Sequence, residues 1–106
     1  MGNMKKSEQP ETRLDETRID SDVFAKICKA LAHPARIKII EHLKMIDQCV
    51  CGEIVKILPL AQSTVSQHLK CLKEAGLIKG EVEGPCTCYC LNRDMLKQFK
   101  KMAGVL

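Results

Sequence analysis

The chain has 106 residues, enough for one modest domain, and a formal net charge of +4. No apolar run approaches the roughly 20 residues that a membrane-spanning helix needs, and the N-terminus lacks the apolar segment of a secretory signal. With one tyrosine and no tryptophan, the composition also argues against an aromatic platform for single-stranded nucleic acid. We therefore expect a cytoplasmic protein with no membrane partner.

Charge divides the chain into two unequal parts. Residues 1–22 carry four basic and six acidic groups, so this segment has a net charge of −2 and the remainder has +6. Residues 1–20 show no periodic apolar pattern, which predicts a disordered or arm-like tail. Residues 21–106 then form one domain, and its positive charge favours a polyanion such as duplex DNA.

Apolar periodicity predicts three helices in the first half of the domain. The first covers residues 21–31 with Ser21 as its N-cap. The second covers residues 34–45, and Pro34 suits its first position because a helix start needs no backbone donor there. A short third helix is predicted over residues 51–58 and ends before a proline.

The second half predicts a helix, a hairpin and a helix. The fourth helix covers residues 63–74, with Ser63 as N-cap and Gly76 closing it. A β-hairpin follows over residues 77–91, and Asn92 caps the last helix. This order, mainly α with one β-hairpin, is that of a winged helix-turn-helix domain.

Three segments also carry a family resemblance. They are ALAHPARI at residues 30–37, STVSQHL at 63–69 and LKEAGLI at 72–78. In this order the chain resembles the arsenic-repressor (ArsR/SmtB) family of metal-sensing dimeric repressors over roughly residues 21–100. The resemblance implies no enzymatic activity, double-stranded operator DNA as a partner, and a homodimer formed by the first and last helices. The stripe of Met95, Phe99 and Met102 on the last helix is expected to pack against the second subunit.

The fourth predicted helix is the candidate DNA-reading element. Its outward positions carry hydroxyl, amide and amine groups that can hydrogen-bond to base edges or phosphates, although such groups also form the polar face of ordinary helices. His68 lies beside Leu69 and Leu72, so we expect it to be packed rather than to read bases. The candidate DNA-binding residues are Ser63, Thr64, Ser66, Gln67 and Lys70, with Lys79 from the wing.

Five of the seven cysteines fall in two groups. Cys49 and Cys51 form the first, and Cys-Val-Cys resembles the metal box that arsenic- and cadmium-sensing family members carry at a helix start. We expect this pair at the N-terminus of the third helix, where backbone amides favour a thiolate, and we expect it to be the main sensor. An odd cysteine count in a reducing compartment argues against a disulfide framework.

The second group is Cys86, Cys88 and Cys90, which alternate along the predicted second strand of the hairpin. Alternation puts them on one side, with neighbouring Cα atoms about 7 Å apart, so a shared ion needs convergent side chains. Inert cysteines on a half-buried sheet face are the alternative. Whether the two groups form one site or two stays open. Cys28 is expected in the core or an interface, and Cys71 has no evident partner.

These features predict a repressor that leaves its operator when thiolates bind a soft metal or metalloid. Trivalent arsenic or antimony is favoured; cadmium, lead, zinc or copper(I) are further candidates, and no organic cofactor is implied. The last helix lacks histidine, so the family's interfacial zinc site is not expected. One alternative is a winged-helix repressor that senses oxidation or reactive sulfur species. A thiol metallochaperone is another, although no Cys-x-x-Cys motif is present.

Overall fold

The computed structural model describes residues 18–46, 48–51, 56, 58–83 and 86–106. The elements are α1 (Ser21–Ala30), α2 (Pro34–Ile46), β1 (Val50–Cys51), α3 (Gln62–Glu74), β2 (Ile78–Glu83), β3 (Cys86–Leu91) and α4 (Arg93–Val105). Both β1 and β2 pair with β3 in antiparallel fashion, so the sheet order is β1-β3-β2. Within these ranges, no helix is long and apolar enough to cross a membrane. The predicted mainly α fold with a β-hairpin is confirmed.

The start of α1 differs from the sequence prediction. Asp20, and not Ser21, is the N-cap, and its Oδ1 accepts a hydrogen bond from Val23 N at 3.2 Å. A carboxylate in this position both satisfies a free backbone donor and interacts favourably with the helix dipole. Most of the predicted tail lies outside the described residues, but Ile19 packs against the core.

The middle of the chain brings two further corrections. α3 begins at Gln62 with Ala61 as N-cap and no side-chain cap, so the predicted capping by Ser63 is wrong. The predicted helix over residues 51–58 does not begin at Cys51, which lies in β1. Residues 52–55 and 57 of that prediction lie outside the described part of the chain.

Gly76 ends α3, as predicted, by taking a left-handed conformation with φ +83° directly after the C-cap Ala75. Its backbone N–H donates to Lys73 O and that of Leu77 donates to Leu72 O, both at 3.0 Å. This pair of bonds is the Schellman motif, which satisfies the last carbonyls of a helix. The chain thereby turns directly into β2.

Asn92 is the predicted N-cap of α4, and it also links two parts of the domain. Its Oδ1 accepts from Met95 N at 3.2 Å, while its Nδ2 donates to Gly76 O at 2.9 Å. Its backbone N–H donates to Leu77 O at 2.8 Å. The end of α3 and the start of α4 are therefore held together by one side chain and its backbone.

The core lies between the helices and one face of the sheet. α4 covers this core in part, because Met102 is buried and Met95 and Phe99 pack against the buried residues. Phe99 stacks on Phe24 of α1, with ring centroids 5.3 Å apart. The largest fully buried side chains are Ile27, Ile39, Leu43, Val65, Leu72, Leu77 and Ile78.

Candidate DNA-binding and thiol sites

α3 has one apolar and one polar face. Val65, Leu69 and Leu72 are buried against the core, whereas Ser66, Gln67 and Lys70 on the opposite face are exposed. The five candidate DNA-binding residues of this helix and Lys79 of β2 are all exposed. Their contact with DNA stays a prediction, and their exposure is compatible with it. The six exposed candidates are Ser63, Thr64, Ser66, Gln67, Lys70 and Lys79.

His68 is the buried polar residue of α3, with 7% of its surface exposed. Arg36 Nε donates to His68 Nδ1 at 3.2 Å, and the ring of His33 lies 4.4 Å from that of His68. Burial lowers the pKa of His68, and the charges of His33 and Arg36 lower it further. The sequence prediction that His68 is packed and hydrogen-bonded is confirmed.

Arg36 joins three helices through this contact. Its Nη1 donates to the carbonyls of Lys29 and Ala30, at 3.3 and 3.4 Å, which lie at the end of α1. His33 Nδ1 accepts from Ala35 N at 3.1 Å and so caps the start of α2. The sequence analysis did not predict this arrangement. It noted His33 and Arg36 only as part of the segment HPAR, which carries the family resemblance. The orientation of α3 is thereby fixed against α1 and α2.

The register of β1 against β3 brings the two cysteine groups together. Val50 lies opposite Tyr89 and Cys51 lies opposite Cys88. One residue before β1, Cys49 forms a disulfide with Cys90, with Cα atoms 4.3 Å apart, and Cys88 is also disulfide-bonded. This Cα separation is close to that of directly opposed residues in an antiparallel pair. Thiols that are far apart in sequence thus form one group.

This geometry overturns the predicted helical setting of the first pair. Cys51 lies in a strand, and Cys49 precedes that strand rather than a helix. The reason is tertiary, because Val50 is buried in the core and its backbone pairs with β3. Cys51 therefore does not lie in the first turn of a helix, as the sequence had predicted.

The other edge of β3 gives the hairpin cysteines unequal neighbours. Lys79 lies opposite Cys90, whereas Glu81 lies opposite Cys88. Cys88 is buried, Cys90 is half-buried and Cys49 is exposed. Cys86 lies opposite Glu83 at the far end of the hairpin. The three hairpin cysteines therefore have different surroundings. Cys88 lies opposite Cys51 and Cys90 is bonded to Cys49, whereas Cys86 lies opposite Glu83.

A cavity of about 160 Å³ adjoins the disulfide. Arg93 forms part of its wall and donates through Nη2 to Lys44 O at 3.3 Å, which ties α4 to the end of α2. The lining residues are Leu43, Gln48, Cys49, Cys90, Leu91 and Arg93. Both cysteines of the disulfide therefore line this cavity, and Cys49 is the more exposed of the two.

Among the described side chains, those of Cys28 and Cys71 are free thiols outside this group. Cys71 is half-buried, whereas Cys28 is exposed, so of its two predicted places, core or interface, Cys28 does not occupy the core of the chain. The side chain of Cys28 lies on the outer surface of α1, which leaves an interface as its remaining predicted role.

In this disulfide-bonded state, the described residues contain no group of three or more His, Cys, Asp or Glu side chains arranged to hold a metal ion. The donor set nevertheless suits a soft ion once it is reduced. Thiolates bind zinc at about 2.3 Å, which separates two sulfurs on one ion by about 3.8 Å. Disulfide sulfurs are about 2 Å apart, so modest side-chain rotation of Cys49 and Cys90 gives the wider spacing.

Comparison with known proteins assigns the fold to a family. The sequence profile described as "Bacterial regulatory protein, arsR family" matches residues 33–79, from the start of α2 to β2. A relative, the HTH-type transcriptional repressor SmtB of Mycobacterium tuberculosis, is 43% identical over 70 residues, which are 66% of this chain and 51% of that protein. The chain belongs to the arsR family.

Two further arsR-type relatives carry functional names. A homolog of the cadmium resistance transcriptional regulatory protein CadC from Staphylococcus aureus is 35% identical over 80 residues, 74% of this chain and 65% of that protein. The crystal structure of a possible transcriptional regulator for arsenical resistance superposes with a TM-score of 0.66 at 25% identity, over 74% of this chain and 80% of that one. The chain spans about half the length of SmtB.

Membership of the arsR family confirms two predictions. The family and the named relatives are transcriptional regulators and not enzymes. The fold is the winged helix-turn-helix that the order of elements predicted. Here α3 takes the place of the DNA-reading helix and the β2–β3 hairpin that of the wing.

Proposed function

We propose that this arsR-family chain is a cytoplasmic, homodimeric repressor that binds double-stranded operator DNA and leaves it when its cysteine thiolates bind a soft metal or metalloid. The observation that carries the proposal is the β1–β3 register, which brings Cys49 within bonding distance of Cys90 and opposes Cys51 to Cys88. Cysteines at two neighbouring opposed pairs of positions on β1 and β3 are more than packing requires.

The DNA-binding part rests on shape and charge. α3 is a 13-residue helix with an exposed polar face, and a helix of this size fits the major groove. Lys70 can contact a phosphate, and Gln67 has the paired amide donor and acceptor that suits adenine. Lys79 on the wing would contact the neighbouring backbone. The net charge of +6 on residues 23–106 supports duplex DNA as the partner.

The ligand class follows from the donor atoms. Thiolates prefer soft ions, so arsenite and antimonite are favoured, with cadmium, lead or zinc as further inducers. The names of the cadmium-resistance and arsenical-resistance relatives support this class. Reduced Cys49 and Cys90 would hold the ion, and Cys51 and Cys88 occupy the adjacent opposed positions of the two strands.

Coupling to DNA would run through the two strands. β1 follows α2 and precedes the segment that leads to α3, while β3 belongs to the wing and leads through Asn92 into α4. A ligand bound between β1 and β3 therefore fixes the wing relative to the helix-turn-helix. Release requires that the ligand bind the DNA-incompetent conformation more tightly, and a coupling of about 1 to 3 kcal/mol suffices.

The test uses fully reduced protein, titrated in turn with arsenite, antimonite, cadmium, lead, zinc and copper(I). We expect thiolate-to-metal charge-transfer absorption and loss of operator anisotropy with at least one of them. Cys49→Ser and Cys90→Ser should each abolish both signals while basal operator binding persists. Cys28→Ser is the matched control, because that thiol is exposed and outside the group. Full induction in both Cys49→Ser and Cys90→Ser would refute the proposed site.

The disulfide itself favours a second candidate function, in which oxidation is the signal. Closing the Cys49–Cys90 bond would fix the same two strands without a metal. Titration with peroxide in metal-free buffer separates the two functions, because only a redox sensor then releases the operator. The metallochaperone alternative is not supported, since the relatives are transcriptional regulators.

A further inference from the structure

We propose that the cavity beside the Cys49–Cys90 bond is a reaction site for a small anionic thiol, which attacks Cys49 and leaves a mixed disulfide there. This inference rests on the proposed function of the thiol group as the sensor. It specifies the chemistry that returns the oxidised group to thiolates able to bind metal.

Access determines which sulfur is attacked. Cys49 is exposed, whereas Cys90 is half-buried between β1 and β2. The residues that line the cavity of about 160 Å³ include both Cys49 and Cys90. We therefore assign to it a small molecule with one thiol and one carboxylate.

Charge determines which thiols are favoured. The guanidinium of Arg93 forms part of the cavity wall, and its contact with Lys44 O holds it beside the end of α2. The positive charge of Arg93 at the cavity wall enriches an anionic thiol there relative to a neutral or cationic thiol.

The reaction is a thiol–disulfide exchange. The thiolate of the small molecule forms a bond with Cys49 Sγ, the Cys49–Cys90 bond breaks, and Cys90 departs with the electron pair as a thiolate. Lys79, directly opposite Cys90, stabilises the negative charge that develops on the departing sulfur. A second small thiol then displaces Cys49, which gives its thiolate and the symmetric disulfide of the small thiol. One disulfide is consumed and one is formed.

The experiment uses the oxidised full chain carrying Cys28→Ser and Cys71→Ser, which removes the two free thiols found among the described side chains. Three probes are compared at equal thiolate concentration: 3-mercaptopropionate, 2-mercaptoethanol and cysteamine. Samples are quenched by alkylation, and peptide mass spectrometry locates the adduct. We expect the mixed disulfide on Cys49 and a rate that is several-fold higher for the anionic probe than for the cationic one.

Two variants test the assigned charges. Arg93→Gln should remove most of the preference for the anionic probe, whereas Lys26→Gln, an equal change of charge on α1, should leave it intact. Lys79→Gln should slow all three probes alike, because it acts on the departing sulfur and not on the incoming one. An adduct on Cys90, equal rates for the three probes, or an unchanged preference in Arg93→Gln would overturn the proposal. The assay contains neither metal nor DNA, so its failure leaves the proposed repressor function standing.

Discussion

Arg36 Nε donates a hydrogen bond to His68 Nδ1 at 3.2 Å, and only a neutral imidazole can accept it. His68 is buried in α3, the helix proposed to read DNA, and Arg36 also holds the last carbonyls of α1. Protonation of His68 would set two cations against each other in a desolvated position. The orientation of α3 is therefore linked to the protonation state of a single side chain.

This contact predicts a pH-dependent stability. The folded pKa of His68 is lowered from its ordinary 6.5, so the unfolded chain binds more protons below that pH. Stability should be complete above pH 6.5 and should decrease as the pH falls below it toward the folded pKa. Urea unfolding between pH 5 and 8 measures this. His68→Gln should flatten the slope below pH 6.5, whereas His42→Gln should retain it; an equal slope in wild type and His68→Gln would contradict the assignment.

The DNA-reading face predicts a specific loss of affinity. Gln67→Ala should weaken operator binding by about 1 to 3 kcal/mol, because the side chain is exposed on α3 and can pair with a base edge. Fluorescence anisotropy with operator and with unrelated duplex measures both affinity and specificity. Gln98→Ala, an exposed amide on α4, is the control. Unchanged operator affinity in Gln67→Ala would remove this residue from the reading surface.

Alanine substitutions at two glycines, Gly76 after α3 and Gly104 in α4, should change the stability of the fold in opposite directions. Gly76→Ala should destabilise the fold by about 1 to 2 kcal/mol, because φ is +83° and the new Cβ would lie 3.2 Å from Met95 Cε. Gly104→Ala, in the last turn of α4 with open space around its Cβ, should stabilise by up to about 0.5 kcal/mol, which is less than in a helix interior. Thermal unfolding of both variants gives the comparison. A neutral Gly76→Ala would mean that the turn tolerates a side chain.

If the proposed dimer forms through α1 and α4, replacing an apolar residue of α4 by glutamate should separate the subunits. Phe99→Glu should give a monomer with much weaker operator binding, by sedimentation and anisotropy. Phe99 also stacks on Phe24 inside the chain, so circular dichroism must show that the variant is folded. Val105→Glu is the second variant, because Val105 is 42% exposed and its charge leaves the core unchanged. Folded dimers in both variants would place the interface elsewhere.

Apolar periodicity and capping residues in the sequence predicted helices α1 to α4, but the N-caps predicted for α1 and α3 were wrong. Pro34, Gly76 and Asn92 act within their own turns, and the sequence identified all three correctly. Asp20 replaced Ser21 as a cap because two adjacent residues can both accept the same hydrogen bond. Only the folded structure decides between them.

Long-range contacts could not be predicted from one sequence. Period-two alternation correctly related Cys88 and Cys90 along one strand. It gave no information on which residues would lie opposite them, because β1 has two residues and forms only by pairing with β3. The Arg36–His68 contact joins residues 32 positions apart and has no periodic pattern at all.

The Cys49–Cys90 bond closes a covalent ring across a sequence separation of 41, and the ring contains all of α3 and β2. A chain-entropy estimate for a loop of this length gives about 4 kcal/mol of stabilisation through the unfolded state. A single proteolytic cut anywhere inside the ring would leave both fragments attached until the bond is reduced. The oxidised DNA-reading unit should therefore outlast the reduced one in limited proteolysis, which makes the lifetime of the regulator itself depend on its thiols.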